Sequence, residues 1–123
     1  MDMPGARAFS FPKTRRLTCA ADFERVKREG RVERGRFMVI SVLAVQNSGA
    51  SRVGFITSRH LGRAVFRNRV RRRLREMVRS HLHDLREDFW IVLVARRDAA
   101  SASYGVLEVE WLRLAKRASI LAA

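Results

Sequence analysis

This 123-residue chain holds one cysteine, Cys19, so no internal disulfide can form and nothing in its thiol content asks for an oxidising compartment. Its two prolines and seven glycines are too few for a linker-like or low-complexity protein, and an apolar content of 47% is enough for a core. No apolar run approaches the length of a bilayer span, and the opening stretch MDMPGARAFSFPKTRRL lacks the apolar centre of a secretory signal. The expectation is a cytoplasmic protein with no membrane role. A surface-bound amphipathic helix fits poorly, because the one strongly basic segment has a narrow apolar face with a single aromatic. Catalytic combinations are also missing. His81 and His83 stand two apart, which points them to different sides of a helix, and no cysteine or carboxylate set completes metal-ligand spacing. Glu108 and Glu110 carry the same mismatch, which weakens a paired-carboxylate nuclease site. There is no Gly-rich phosphate loop and no hydrolase motif, and Cys19 reads as a packed thiol. The side chains alone bind no cofactor or metal by this reading.

Acids are scarce as a class: 12 stand against 26 lysines and arginines, for a formal net charge of +14. Such an imbalance is usually offset by a polyanion, and nucleic acid is the expected partner. Lysine is scarce too, present only at Lys13, Lys27 and Lys116, so the charge is carried by arginine, whose planar fork matches phosphate oxygens and stacks on bases. The length suits one domain.

Along the chain, residues 1–16 have no periodicity and read as a flexible basic arm. TCAADFERVKREG then predicts a short helix, with Thr18 as N-cap, Gly30 past its end, and Phe23 and Val26 inward. Residues Arg36 to Val45 are apolar on both alternating faces and predict a strand; RVGFITS, Arg52 to Ser58, predicts a second, and the Gly-containing NSGAS between them suggests an antiparallel hairpin. Gly54, inside the second strand, marks a bulge or a close backbone approach. FWIVLVARR, Phe89 to Arg97, reads as a buried strand. A final helix follows from the spacing of Leu107, Trp111, Leu114 and Ala118, capped by Ser101 or Ser103.

Between the second and third strands lies GRAVFRNRVRRRLREMVR, with eight arginines and one acid, Glu76. Set on a helix from Ala64 to Ser80, it gathers Phe66, Val70, Leu74 and Met77 into one stripe, with Val78 at its edge. Asn68, Arg71, Arg72, Arg75 and Arg79 fall on the opposite side, and Arg67 and Arg69 on the flanks. A solvated helix interleaves signs at three- and four-residue spacing, because like charges so placed repel by a few tenths of a kcal/mol. This one does not, and its surface calls for an anion. A ribosomal or general RNA-binding protein would fit, as would, less well, a DNA-binding module with the helix in a major groove. The hairpin and buried strand around the helix argue against a helix-turn-helix, and a protein-only nuclease would need an acidic metal site.

RVGFITSRHLGRAVFRNRVRRRLRE, Arg52 to Glu76, resembles the signature of the bacterial ribonuclease P protein component, and FPKTRRLTCAADFERVKREG and FWIVLVARRDAASASY are similar to that family in order and spacing. The likeness runs from about Phe11 to Ser119. It implies an α/β (α+β) two-layer sandwich of order α-β-β-α-β-α, with a mixed sheet and a left-handed βαβ crossover. The implied domain is a single RNA-binding unit over 17–119, with residues 120–123 a tail. It further implies a protein subunit with no obligate protein partner. That subunit would bind a catalytic RNA and the 5′ leader of precursor tRNA, while the RNA, with its Mg2+, performs the hydrolysis. By matching position, Arg67, Asn68, Arg69, Arg71, Arg72 and Arg75 would meet the catalytic RNA, with Ser58 and Arg59 in the turn before them. Phe23 and Phe37 would line a leader cleft, along with Lys27 and Ile40, which stand where relatives often carry aromatics. The cleft is then expected to lean more on charge, since stacking on an aromatic contributes about 1 to 3 kcal/mol per base.

Overall fold

The computed structural model describes residues 11–122. The inner part of the expected basic arm is thereby corrected, and residues 1–10 lie outside the described region. Phe11 is buried and meets Phe55 edge-on, with ring centroids 5.5 Å apart. Lys13–Arg15 form a 3-10 turn, and the Leu17 N–H donates to the Val53 carbonyl at 3.0 Å. An extended segment with apolar anchors thus runs along a strand edge that would otherwise be open.

Helix α1 spans Ala20–Glu29 and ends at Gly30 as expected. Its N-cap is Cys19, not Thr18, and neither side chain bonds the helix end; the thiol is exposed and not packed. Four strands follow in one mixed sheet: β1 (Arg31–Arg34), β2 (Met38–Ala44), β3 (Arg52–Ile56) and β4 (Phe89–Ala95), arranged β1-β2-β4-β3. The short strand β1 adds an element to the expected order. It pairs antiparallel with β2, so the hairpin is β1–β2 and not β2–β3. Strand β4 instead enters between β2 and β3, antiparallel to the first and parallel to the second. Residues 45–51 bridge two strand spacings, about 10 Å, which is easily within their reach. As an inner strand with both edges paired, like β2, β4 has the near-continuous apolar run FWIVLVA.

Alternation divides the sheet into two unlike faces. Met38, Ile40, Val42, Ile91, Leu93 and Ala95 meet helices α2 (Ala64–Ser80) and α3 (Tyr104–Arg117) in the main core, which also takes Leu74, Met77, Leu107, Trp111 and Leu114. The opposite face is covered by α1 and by Leu17 of the segment that leads into it. There Leu17, Val26 and Val92 are buried, while Phe23, Leu43, Ile56, Trp90 and Val94 are only half-covered. Gly54 lies on this side, and a Cβ there would overlap the Phe23 ring, which confirms the close approach that its place in a strand suggested. Residues at the C-terminal end are tied in: Ile120 is fully buried, and Leu121 bridges to Leu85. Among the described residues no helix is long and apolar enough to cross a membrane.

Candidate nucleic-acid interface

Helix α2 has the bounds its periodicity predicts, and Val70, Leu74, Met77 and Val78 are all buried. Phe66 departs from the stripe: it is 42% exposed at the overhanging first turn. On the outward side, positions 68, 71, 72 and 75 fall on one helical face and, with Arg16, Phe11 and Glu76, line an open groove of ≈ 500 Å³. The far wall is the segment docked on β3. Arg16 belongs there because its backbone bridges to Val53 and its Nε donates to the Phe11 carbonyl at 2.9 Å.

The groove is ordered from within. Arg71 donates through Nη2 to Thr57 Oγ1 at 2.6 Å and through Nη1 to Asn68 Oδ1 at 3.2 Å. Since a guanidinium only donates, the Asn68 atom facing it must be the oxygen, and the amide N–H donors turn away from Arg71. Burial, with the positive charges of Arg16 and Arg71, lowers the Arg75 pKa from the ordinary arginine value. The guanidinium stays charged at any physiological pH, so the direction records partial burial first and the neighbouring cations second. Glu76 offsets this weakly, because its carboxylate is engaged by Arg79 at 2.9 Å.

Of the eight residues expected to meet RNA, the groove brings together Asn68, Arg71, Arg72 and Arg75. Arg67 is half-buried one turn before Arg71, with its Nε lacking a hydrogen-bond partner, and Arg69 holds its guanidinium 5.7 Å from the Phe66 ring centroid. Ser58 and Arg59 open the turn before α2, where the Ser58 carbonyl accepts from Leu61 N–H at 3.1 Å and Arg59 is exposed. Not every arginine is available. Arg73 points back and donates to the Ala102 carbonyl at 2.8 Å, and Arg15 grips Ser51 through Nε to the carbonyl at 2.6 Å and Nη2 to Oγ at 2.8 Å. Burial lowers the Arg15 pKa as well. Phe11 and Arg16 escaped the sequence reading because an aperiodic stretch carries no pattern that singles out individual residues.

The four residues expected to share a leader cleft are not brought together. Phe23 and Lys27 lie on α1, the first half-buried against the sheet and the second exposed. Ile40 is wholly buried in the core beneath α2 and α3, and Phe37 packs against that same core with the Arg36 guanidinium 5.2 Å from its ring centroid. Strand alternation is the reason: Ile40 shares a face with Met38 and Val42, whereas α1 lies over Leu43. The aromatic that does share the α1 face is Trp90, with the Arg25 guanidinium 5.7 Å from its ring centroid. Its alternation with Val92 and Val94 was the available signal.

Residues set aside as non-catalytic have structural places. His81 links the end of α2 to α3, its Nε2 lying 2.8 Å from Glu108 Oε2 and its Nδ1 3.3 Å from Asp84 Oδ2. Glu110 is buried, and its carboxylate accepts from the backbone N–H groups of Arg36, Phe37 and Met38 at 2.8, 2.8 and 3.0 Å. Among the described residues no group of His, Cys, Asp or Glu could hold a metal ion.

A small α+β domain that turns the arginine face of its longest helix onto an acid-poor groove is a polyanion-binding protein. Comparison with known proteins gives the particular kind. The Ribonuclease P family model matches residues 11–119, and the chain belongs to the ribonuclease P protein family. It is 38% identical over 109 residues to the ribonuclease P protein component of Symbiobacterium thermophilum, covering 89% of this chain and 95% of that one. It is 33% identical over 112 residues to that of Syntrophomonas wolfei, covering 89% and 92%. The structure of the Staphylococcus aureus RNase P protein superposes with a TM-score of 0.80 at 25% identity, covering 87% of this chain and 97% of that one. The Thermotoga maritima RNase P protein gives 0.74 at 25% identity, with coverage of 83% and 96%.

Proposed function

We propose that this chain is the protein subunit of a bacterial ribonuclease P, binding the catalytic RNA through α2 and assisting its 5′ maturation of precursor tRNA in the cytoplasm. The observation that carries this reading is the groove in which Arg16, Arg71, Arg72 and Arg75 converge beside a single, already engaged acid. Cations held so close repel one another until an anion enters, and successive phosphates of a folded RNA supply several at once. Asn68 suits the same surface, since its amide can donate to phosphate oxygens while its oxygen restrains Arg71. Hydrolysis belongs to the RNA and to the Mg2+ held by it.

The leader is assigned to the α1 face of the sheet. Phe23 and Trp90 offer half-covered rings there, and Arg25 and Lys27 supply positive charge from the helix above. On this reading Phe37 and Ile40 have no part in leader binding.

Reconstitution with the cognate catalytic RNA at low magnesium tests the assignment. The protein alone should leave precursor tRNA intact, and its addition to the RNA should stimulate cleavage. Affinity for the RNA should fall with salt at a log-log slope of magnitude about 4 or more. A slope near 1, or cleavage by rigorously purified protein without RNA, would overturn it. Lys27→Ala should weaken binding of precursor tRNA with a long leader and leave mature tRNA unaffected; equal loss for both would move the leader elsewhere.

A further inference from the structure

Phe66 is the one member of the α2 apolar stripe that the fold leaves out. Val70, Leu74 and Met77 are at most 1% exposed, whereas Phe66 is 42% and its neighbour Val65 is 65% exposed. The ring rests over the turn at Gly62, where an added Cβ would sit 3.7 Å from Phe66 Cδ2. The guanidinium of Arg69, one turn on, lies 5.7 Å from its centroid. Arg59, Arg63 and Arg67 surround this end of the helix, whose first turn holds no acid. An exposed phenyl and an exposed valine beside a run of cations are left uncovered by the domain. The missing cover must be flat or apolar enough to lie on the ring, and must bring negative charge to the arginines.

An unpaired nucleotide meets both requirements, because every base has a π-face and every linkage a phosphate. We infer that Phe66 and Arg69 form a stacking seat for one unpaired base of the RNA bound by α2, distinct from the phosphate-binding groove. The inference rests on the proposed function and adds to it a contact that is not electrostatic. Arg69 keeps the ring in place and stacks against the same base by cation–π attraction, while the neighbouring arginines hold the flanking phosphates.

The two kinds of contact separate under salt. Binding of the full chain to the cognate catalytic RNA is measured across a salt series for the wild type and for Phe66→Ala, Phe66→Leu and Phe66→Trp, with thermal melts to confirm folding. Phe66→Ala should weaken binding by about 5- to 150-fold, the worth of one stacked base, with the salt slope unchanged. Phe66→Leu should lose nearly as much, and Phe66→Trp should bind at least as well as wild type. Affinity within twofold of wild type for Phe66→Ala, or full affinity for Phe66→Leu, overturns the seat. So does an acidic, aromatic-bearing peptide that competes with RNA on the wild type but not on Phe66→Ala, since the ring would then take a protein partner. A wild type with no salt-dependent affinity for the catalytic RNA would instead overturn the proposed function itself, whatever Phe66 does.

Discussion

Helices α2 and α3 lie side by side on the same face of the sheet and send Leu74, Met77, Leu107 and Trp111 into one core, yet their outer surfaces differ in kind. In α3 the cap and both glutamates are satisfied by the chain itself, and the buried Trp111 Nε1 is the exception, with no hydrogen-bond partner. Ser103 caps the helix by accepting from Val106 N–H at 3.3 Å, Glu108 meets His81, and Glu110 gathers backbone donors from the start of β2. In α2 the N-cap is Arg63, which makes no side-chain cap bond, no acid stands in the first turn, and the cations converge on a groove. One helix is completed by the fold. On the proposed function the other is completed by the RNA it binds, and the core shared with α3 holds α2 in place whatever charge its outer face carries.

The largest effect should come from breaking the α3 side. Glu110→Ala would leave the N–H groups of residues 36–38 without their acceptor, that of Met38 in a fully buried place. Unfolding by urea should show a loss of about 3 to 5 kcal/mol, since three backbone donors lose their acceptor at about 1 to 3 kcal/mol for each that stays buried. Glu110→Gln, which keeps one acceptor oxygen, should lose less. If Glu110→Ala were neutral, α3 would not be the self-satisfied helix described above.

Next in size is a reciprocal test within α2. Leu74→Ala should cost about 2 to 5 kcal/mol in stability, as large-to-small core changes do, and leave the salt dependence of RNA binding as it was. Arg72→Ala and Arg75→Ala should change stability by about 0.5 kcal/mol or less while each makes the salt slope shallower by about one contact. Equal thermal losses for all three would erase the division between the faces.

That division was legible in the sequence because it rests on helical period alone, and Ala64–Ser80 is bounded as the pattern predicts. What was illegible depends on partners far along the chain. Nothing in residues Arg36 to Ser58 tells that Phe89–Ala95 will enter between two strands that look like a hairpin, since a strand with two apolar faces accepts either neighbour. Strand β1, RVER, is polar because it is a sheet edge, so it lacks the signal that marks a strand. Phe66 obeys the period but lies beyond the reach of the core, and periodicity does not say where a sheet stops. Glu110 left a trace: it stands three after Leu107 and four before Leu114, on the buried stripe of α3, where an acid implies a waiting set of donors.

The smallest effect offers the sharpest comparison, because it asks the same question of both helix starts. Ser103→Ala removes a cap that the fold uses, and it should cost about 1 kcal/mol without altering RNA affinity. Arg63→Ser gives α2 the cap it lacks and removes a cation from an uncompensated end. The free protein should gain up to about 1 kcal/mol, while the salt slope for RNA becomes shallower by about 0.7 to 0.9 if Arg63 meets a phosphate. Opposite signs for stability and binding would mean that α2 forgoes a cap for the sake of its ligand. If Arg63→Ser instead raised both stability and affinity, the open end would be an unoptimised helix start, and the contrast between a helix finished by the fold and one finished by RNA would fail there.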